Sequence, residues 1–480
     1  MSFTTIQFVP FFFLAVLGYY RLPARGQKLW LLVVSYVFYY LVSGPLLLLL
    51  AADTIASFTI ARLMAHYPER SRLLLTVSVA YTLGLLFLFK YFNFFYTSLL
   101  SLGGGQTEPL FELLLPVGIS FFSFTICGYL FDVAAGRVAA SRSFWDYAVF
   151  VAFFPALLSG PISRAGQFLP QLRAPIPYNS RGVRHGAMRF VWGAFKKLVV
   201  ADGLGQIVDA AYADPSAVSG GYLLAAVLLY SFQLYYDFSA YSDMAIGGAE
   251  MLGLRIMENF QSPYLVRSVK DFWKKWHISL TSWLRDYLYF PLGGSRGSER
   301  RTRLNLIIVF TVSGLWHGAG GSFLLWGLLN GLYLAAGHFT RPYRLWLHRM
   351  CLIREKNPVL AAVQCVLTFL LVTFAWIFFR SDSLAQAVDV LTRLFQLGRT
   401  GLGVDWAALA DQRRVLLQLA LCALPCVWED VRIARGKRLP DLSGTSFRYW
   451  GVMALLVLLL SLFGIYGEGF DPRAFTYFQF

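Results

Sequence analysis

Two histidines are the residues best suited to moving a proton near neutral pH. His317 lies in Val312-Ser313-Gly314-Leu315-Trp316-His317-Gly318, towards the end of an apolar run that begins at Leu304. An ionisable side chain at such depth is costly and normally faces a cavity or a partner, and imidazole tuned by burial is a suitable general base. The alternative is a structural hydrogen bond to a neighbouring helix, or a shallow interfacial position. His277, in Trp273-Lys274-Lys275-Trp276-His277-Ile278-Ser279-Leu280, allows the same chemistry or an interfacial role beside snorkelling lysines. Asp237, Tyr241 and Asp243 follow a long apolar run, and the first two are four apart, on one helical face. They are candidates to orient an imidazole or shape a polar passage; a solvated helix end is the competing reading.

Other motifs carry less. Gly293-Gly294-Ser295-Arg296-Gly297 matches the G-x-S-x-G pattern by letter but follows no strand, so a basic loop that meets lipid headgroups or a ligand phosphate is the better reading. Cys127, Cys351, Cys365, Cys422 and Cys426 show neither C-x-x-C nor paired Cys/His spacing, which argues against a disulfide framework or a metal site. Cys422 and Cys426, one helical turn apart, fit helix packing, with lipidation as the alternative. Zincin, Walker and dinucleotide motifs are absent, leaving an ATP-driven pump or a metalloprotease without support.

The elements that must position these residues follow from composition. Of 480 residues, 57% are hydrophobic and 14% charged, against about 45–50% and about 25% in soluble domains. A water-soluble fold is excluded. At ~20 residues per span there is room for roughly ten to twelve crossings in a single all-α polytopic domain covering 1–480. The formal charge of +16 sits mostly in short loops between apolar runs, the pattern of cytoplasmic loops rather than of a nucleic-acid surface.

Apolar runs recur at 8–20, 29–64 (broken at Gly44-Pro45), 73–100, 110–131, 144–160, 186–212, 220–253, 304–319, 322–340, 359–379, 412–428 and 447–466. The first has Arg21, Arg25 and Lys28 after it and no base before it, which predicts a retained helix with its N-terminus outside. The loops with Arg62, Arg70 and Arg72 and with Arg137 and Arg142 are then cytoplasmic, and 101–109, with Glu108, external. Basic residues on both sides of 144–160 favour a re-entrant or shallow segment ending at Gly160-Pro161. Between 261 and 303, Arg and Lys interleave with Phe272, Trp273, Trp276, Trp283, Tyr287 and Tyr289, which predicts an interfacial amphipathic stretch. Gly314 with Gly318, and Gly327 with Gly331, would let helix backbones approach closely.

Taken together, the ordered blocks resemble the membrane-bound O-acyltransferase (MBOAT) family, in its alginate O-acetylation branch. They are Tyr235 to Gly247, Glu258-Asn259-Phe260, Asp271 to Leu280, Trp283-Leu284-Arg285-Asp286-Tyr287-Leu288-Tyr289 with Leu292-Gly293-Gly294, and Gly314-Leu315-Trp316-His317-Gly318. Weaker likeness reaches Leu115 to Phe121 and the aromatic tail Phe475 to Phe480.

The resemblance implies a helical bundle with a central polar passage, re-entrant and amphipathic helices, and acetyl transfer from a cytoplasmic thioester to an extracytoplasmic polysaccharide. It maps the catalytic histidine onto His317 and a second polar position onto His277. Asp237, Tyr241, Asp243, Trp316, Arg285 and Asp286 are then supporting or passage residues, and Lys274, Lys275 and Arg296 candidates for binding an anionic donor such as acetyl-CoA. The same cations would also hold the helix at anionic lipid. No permanently bound cofactor is expected. Implied partners are the donor, a periplasmic or membrane-anchored SGNH-type acetyltransferase, an alginate-, cellulose- or peptidoglycan-type acceptor and the bilayer of a bacterial inner membrane. D-alanyl transfer to teichoic acid by the same fold is one rival, and a lipid or sugar flippase or transporter with His317 as proton relay is another.

Overall fold

A computed structural model of the chain describes residues 1–102, 110, 114–343, 357–400, 413–437, 444 and 447–466. Glu108, Cys351 and the aromatic tail Phe475 to Phe480 lie outside these. The described residues form helices and connections, with no strand among them.

The first helices follow the apolar runs: α1 (Phe8–Arg21), α2 (Ala24–Ser43) and α3 (Leu47–His66), with the Gly44–Leu46 turn between the last two. Next come α4 (Ser71–Leu86) and α5 (Phe92–Leu102), separated by a π-helical turn at Phe87–Tyr91, then α6 (Ile119–Ala134). Two short helices, α7 (Phe144–Ala152) and α8 (Phe154–Leu157), fill the run at 144–160. At 1.5 Å per residue α7 is only about 14 Å long, half the ~30 Å hydrocarbon layer. The remaining helices that bear on the site are α9 (Ala165–Phe168), α10 (Ser180–Phe195), α11 (Asp202–Ala213), α12 (Gly220–Met251), α13 (Val269–Lys275), α14 (Ile278–Leu284), α15 (Glu299–His317) and α16 (Gly321–Phe339). Helices Pro358–Arg380, Leu384–Thr400, Arg413–Ala434 and Phe447–Phe463 follow.

By length and composition, 4 helical stretches among the described residues can cross a membrane: Ala24–His66, Pro68–Ser101, Gly220–Met251 and Pro358–Arg380. Other apolar runs give shorter helices or helices interrupted by π turns, so fewer uninterrupted spans stand out than hydropathy alone predicts. In Gly220–Met251 the apolar window is 72% buried, against 17% in Pro68–Ser101. The first is therefore central, and the second turns most of its apolar side chains, such as Leu73 and Leu99, outward.

Two hydrophobic clusters divide the interior, and α6 and α12 contribute to both. Phe121, Phe124, Tyr235 and Phe238 face the cluster containing Trp273, Trp316 and Trp376. Phe122, Ile126, Tyr241 and Met244 face the one containing Phe8, Phe38 and Phe150. A helix that is apolar on every side must be buried on every side, which accounts for the position of α6.

The paired glycines do what their spacing predicts. A Cβ on Gly314 would lie 2.3 Å from the Phe323 carbonyl oxygen, and one on Gly327 would lie 2.4 Å from that of Phe310. Side chains there would drive apart the backbones of α15 and α16, whose attraction in lipid comes from close packing rather than from hydrophobic burial.

The stretch 261–303 differs from a surface-lying amphipathic helix. Phe272, Trp273, Trp276 and Trp283 are buried in the protein core, not at a lipid interface. Indole N–H groups anchor it: Trp283 donates to the Phe124 carbonyl (2.8 Å) and Trp273 to Asn330 Oδ1 (3.2 Å). Its charged side chains Lys270, Lys274, Arg285 and Arg296 remain exposed. The aromatics are spent on tertiary packing because partners from α6, α16 and Pro358–Arg380 cover them.

Candidate active site

His317 is the last residue of α15, and the chain leaves the helix through Gly318 in an extended conformation. Its imidazole is buried and lies edge-on to Trp326 (ring centroids 5.0 Å) and Phe379 (5.3 Å). Trp316, also buried, packs on Phe121 and Phe124. Together these rings place the imidazole in a low-dielectric shell, where electrostatic interactions are stronger than in water.

His277 reaches the same place from another direction. It is the residue before α14, with φ 44° and ψ 55°, a left-handed conformation that few non-glycine residues adopt. The surrounding backbone imposes it: Ile278 N–H donates to the Asn259 carbonyl and Gln261 N–H to the Lys275 carbonyl, each at 3.0 Å. The buried imidazole then stands edge-on to Phe238 (4.7 Å) and 6.5 Å, centroid to centroid, from the ring of His317. That spacing is longer than a direct ring-to-ring hydrogen bond, with nitrogens about 3 Å apart, permits.

Asn259, fully buried, fixes the chemistry of His277. Its Oδ1 accepts from Ser279 N–H (3.1 Å) and from Ser279 Oγ–H (2.9 Å), while its Nδ2 is directed to Ser242 Oγ (3.4 Å). An acceptor oxygen at that position leaves His277 Nδ1, 3.2 Å away, as the donor. The neutral ring is thereby assigned its Nδ1–H form, with Nε2 as the basic nitrogen.

A cavity of about 160 Å³ adjoins His317, lined by Lys90, Trp316, Phe121, Ser120 and Ser159, among others. Gly118 lets the chain approach here: at φ 81° it precedes α6, and a Cβ would lie 2.7 Å from the Leu157 carbonyl oxygen. Lys90 sits in the π turn between α4 and α5, and its ammonium donates to the carbonyls of Trp316 (2.8 Å) and His317 (2.9 Å). The neighbouring Tyr91 hydroxyl donates to the Leu315 carbonyl (2.8 Å). Two residues of one π turn therefore hold the carbonyl end of α15. Nothing but a lone charge within the aromatic run around 87–96 signals Lys90 in the sequence.

Asp237, Tyr241 and Asp243 are engaged elsewhere. Asp237, 1% exposed, pairs with Lys197 (2.6 Å), which also pairs with Asp202 (2.7 Å). Asp243 pairs with Arg189 (2.9 Å) and Lys196. Tyr241 stacks on Phe3, centroids 4.9 Å apart. Lys196 and Lys197 lie in the π turn Lys196–Ala201, which joins α10 to α11. Asp237 and Asp243 thus tie α12 to that broken helix, and the polar partner placed beside His277 is Asn259.

Of the remaining candidates, Asp286 accepts from Arg285 (2.8 Å) and Arg164 (3.1 Å), and the Arg164 guanidinium lies over the Tyr287 ring at 4.7 Å. Lys274 is exposed and pairs with Asp271 (2.8 Å). Partial burial pushes the Asp271 carboxyl up, but hydrogen bonds from Lys274 and Ser268 outweigh it and hold the group below its ordinary range. Lys275 is half-buried and Arg296 exposed in its glycine loop. Lys274, Lys275, Arg285, Asp286 and Arg296 form no part of the aromatic shell around the two imidazoles.

Comparison with known proteins connects this arrangement to a family. The model of MBOAT, the membrane-bound O-acyltransferase family, matches residues 36–375. "Probable alginate O-acetylase AlgI" of Azotobacter vinelandii is 37% identical over 431 residues, covering 88% of this chain and 83% of its own length. The protein of the same name from Pseudomonas aeruginosa is 38% identical over 405 residues, with 83% and 75% covered. "Peptidoglycan O-acetyltransferase" of Helicobacter pylori is 34% identical over 442 residues, with 84% and 81% covered. A matched span of that extent, on an all-helical chain with membrane-crossing helices, means that this multi-pass membrane protein belongs to the membrane-bound O-acyltransferase family.

Proposed function

We propose that this chain carries acetyl groups from a cytoplasmic thioester, acetyl-CoA being the simplest, towards a polysaccharide outside the bacterial inner membrane. The observation that carries the reading is the convergence of His317 and His277 within one aromatic shell, with His317 lining a cavity. The names of the relatives supply the acetyl group and the class of acceptor. In this reading the cavity is part of a central polar passage, with α7 and α8 as a re-entrant element beside it.

A thioester carbonyl is already activated. The site has to remove the proton of the attacking hydroxyl and accommodate the charge that builds on the carbonyl oxygen. His317 acts as general base: it takes the hydroxyl proton as the C–O bond forms, and returns it to the thiolate when the C–S bond breaks. A transient acyl-imidazole on His317 is the covalent variant of the same step. His277, with Nε2 as its basic nitrogen, is the second polar group at the reacting centre. The exposed cations Lys274 and Arg296, with the half-buried Lys275, provide a landing surface for an anionic donor.

Delivery to the polymer is assigned to an SGNH-type partner, periplasmic or membrane-anchored. The direct test reconstitutes the chain in vesicles with that partner and an acceptor polysaccharide, and supplies radiolabelled acetyl thioester on the cytoplasmic face. Label should enter the polymer only when chain, donor and partner are all present. Acetylation that proceeds without a thioester donor would overturn the reading.

A further inference from the structure

The ammonium of Lys90 has three N–H groups, and the carbonyls of Trp316 and His317 take two of them. Lys90 also lines the cavity that His317 lines. Among the described residues no carboxylate lies within ion-pair distance of it, and its charge is offset only by the carbonyl end of α15. A helix end needs no full positive charge to satisfy two carbonyls; a neutral amide can donate twice. What a cation adds is attraction for negative charge in the adjoining space, strong in a shell of low dielectric.

We propose that Lys90 is a further catalytic residue: its remaining N–H stabilises the oxyanion that forms on the thioester carbonyl when the acceptor hydroxyl attacks. This rests on the reading of the chain as a thioester-dependent acetyl transferase. As the new C–O bond forms, the carbonyl π electrons move onto oxygen, which becomes an alkoxide beside the ammonium, while the hydroxyl proton goes to His317. Collapse restores the C=O bond and expels the thiolate, which regains the proton from His317. Lys90 begins and ends protonated, so the step needs no other reactant. The contacts of Lys90 with the last two carbonyls of α15 also fix the ammonium within one residue of the general base, so donor and base are held as a unit.

The test separates charge from helix capping. Lys90→Gln retains two amide donors for the carbonyls and loses the cation; Lys90→Arg retains both. With the full-length protein in vesicles, Lys90→Gln should lower kcat by about 10²-fold, the usual effect of losing one oxyanion donor, at unchanged donor KM and unchanged abundance. Lys90→Arg should stay within about tenfold of wild type. A kcat for Lys90→Gln within about threefold of wild type would overturn the proposal and leave Lys90 as a cap alone.

A second measurement needs no variant. Two thioether analogues of the donor are compared as competitive inhibitors of the unaltered protein, one ending in a methyl ketone and one in a carboxylate that presents an oxyanion to the site. Tighter inhibition by the carboxylate, by tenfold or more, is expected; equal or weaker inhibition would overturn the proposal. Loss of transfer on changing His317 bears on the functional reading itself and is independent of either result.

Discussion

Asn259 and His277 are joined through Oδ1 and Nδ1, 3.2 Å apart, and because Ser279 also donates to that oxygen, the asparagine can only accept from the imidazole. The two lie 18 positions apart in the chain, and the left-handed backbone at His277 is what brings the ring round to meet the amide. A local conformational cost of about 1–3 kcal/mol is thereby exchanged for a defined tautomer at the centre of the molecule.

The first prediction follows from that pair. Asn259→Asp keeps the accepting oxygen and should retain transfer, with a pH profile shifted upward because a carboxylate stabilises protonated imidazole. Asn259→Leu removes the acceptor and should lower the rate by at least tenfold. Initial rates across pH distinguish the two outcomes, and an unshifted profile in Asn259→Asp would separate Asn259 from the chemistry.

Lys197 and Asp237 should behave as a buried ion pair that stabilises the fold. Lys197→Met leaves Asp237 without its cation and should cost about 3–5 kcal/mol, whereas Asp237→Leu leaves Lys197 paired with Asp202 and should cost less; the double variant should be less destabilised than Lys197→Met alone. Thermal unfolding in detergent measures all three. Equal destabilisation by the double variant and by Lys197→Met would show that the pair is not coupled.

Close packing of α15 on α16 should be intolerant of volume. The neighbour of Gly314 is a backbone carbonyl rather than a flexible side-chain tip, at 2.3 Å from the position of an added Cβ. Gly314→Ala should therefore cost about 1–3 kcal/mol by overpacking, and Gly314→Leu should abolish accumulation in the membrane. By contrast, Gly337→Ala, where an added Cβ meets nothing within 4 Å, should leave abundance unchanged.

Reversing charge at Lys274 and Lys275 distinguishes donor binding from lipid binding. Lys274→Glu with Lys275→Glu should raise KM for an anionic thioester several-fold, an effect that weakens with salt, while kcat changes little. An unchanged KM would leave those lysines to the lipid headgroups.

What the sequence shows and what it hides have physical reasons. His317 is legible because an ionisable residue in an apolar run has few inexpensive structural roles, and Gly314 and Gly327 because close helix contact has a spacing. The same criterion applies to Lys90, whose apolar surroundings are as continuous, yet no neighbouring motif draws attention to it. Asp237 and Asp243 read as site candidates because they stand near the family's aromatic block, whereas their partners Lys197, Lys196 and Arg189 lie 40 or more residues earlier, on α10 and the turn that follows it. Sequence spacing along α12 cannot reveal a tertiary ion pair. The aromatics of 261–303 read as interfacial for a related reason: an amphipathic pattern gives the side that is apolar, but not whether lipid or protein covers it.

The central claim is that the imidazole of His317 takes the proton of the attacking hydroxyl. It is tested most directly by following acetyl transfer from a labelled thioester in vesicles that contain His317→Ala or His317→Gln at wild-type abundance. The account predicts a fall of at least 10²-fold in transfer, with the labelled donor still bound. Transfer at the wild-type rate by either variant would contradict it.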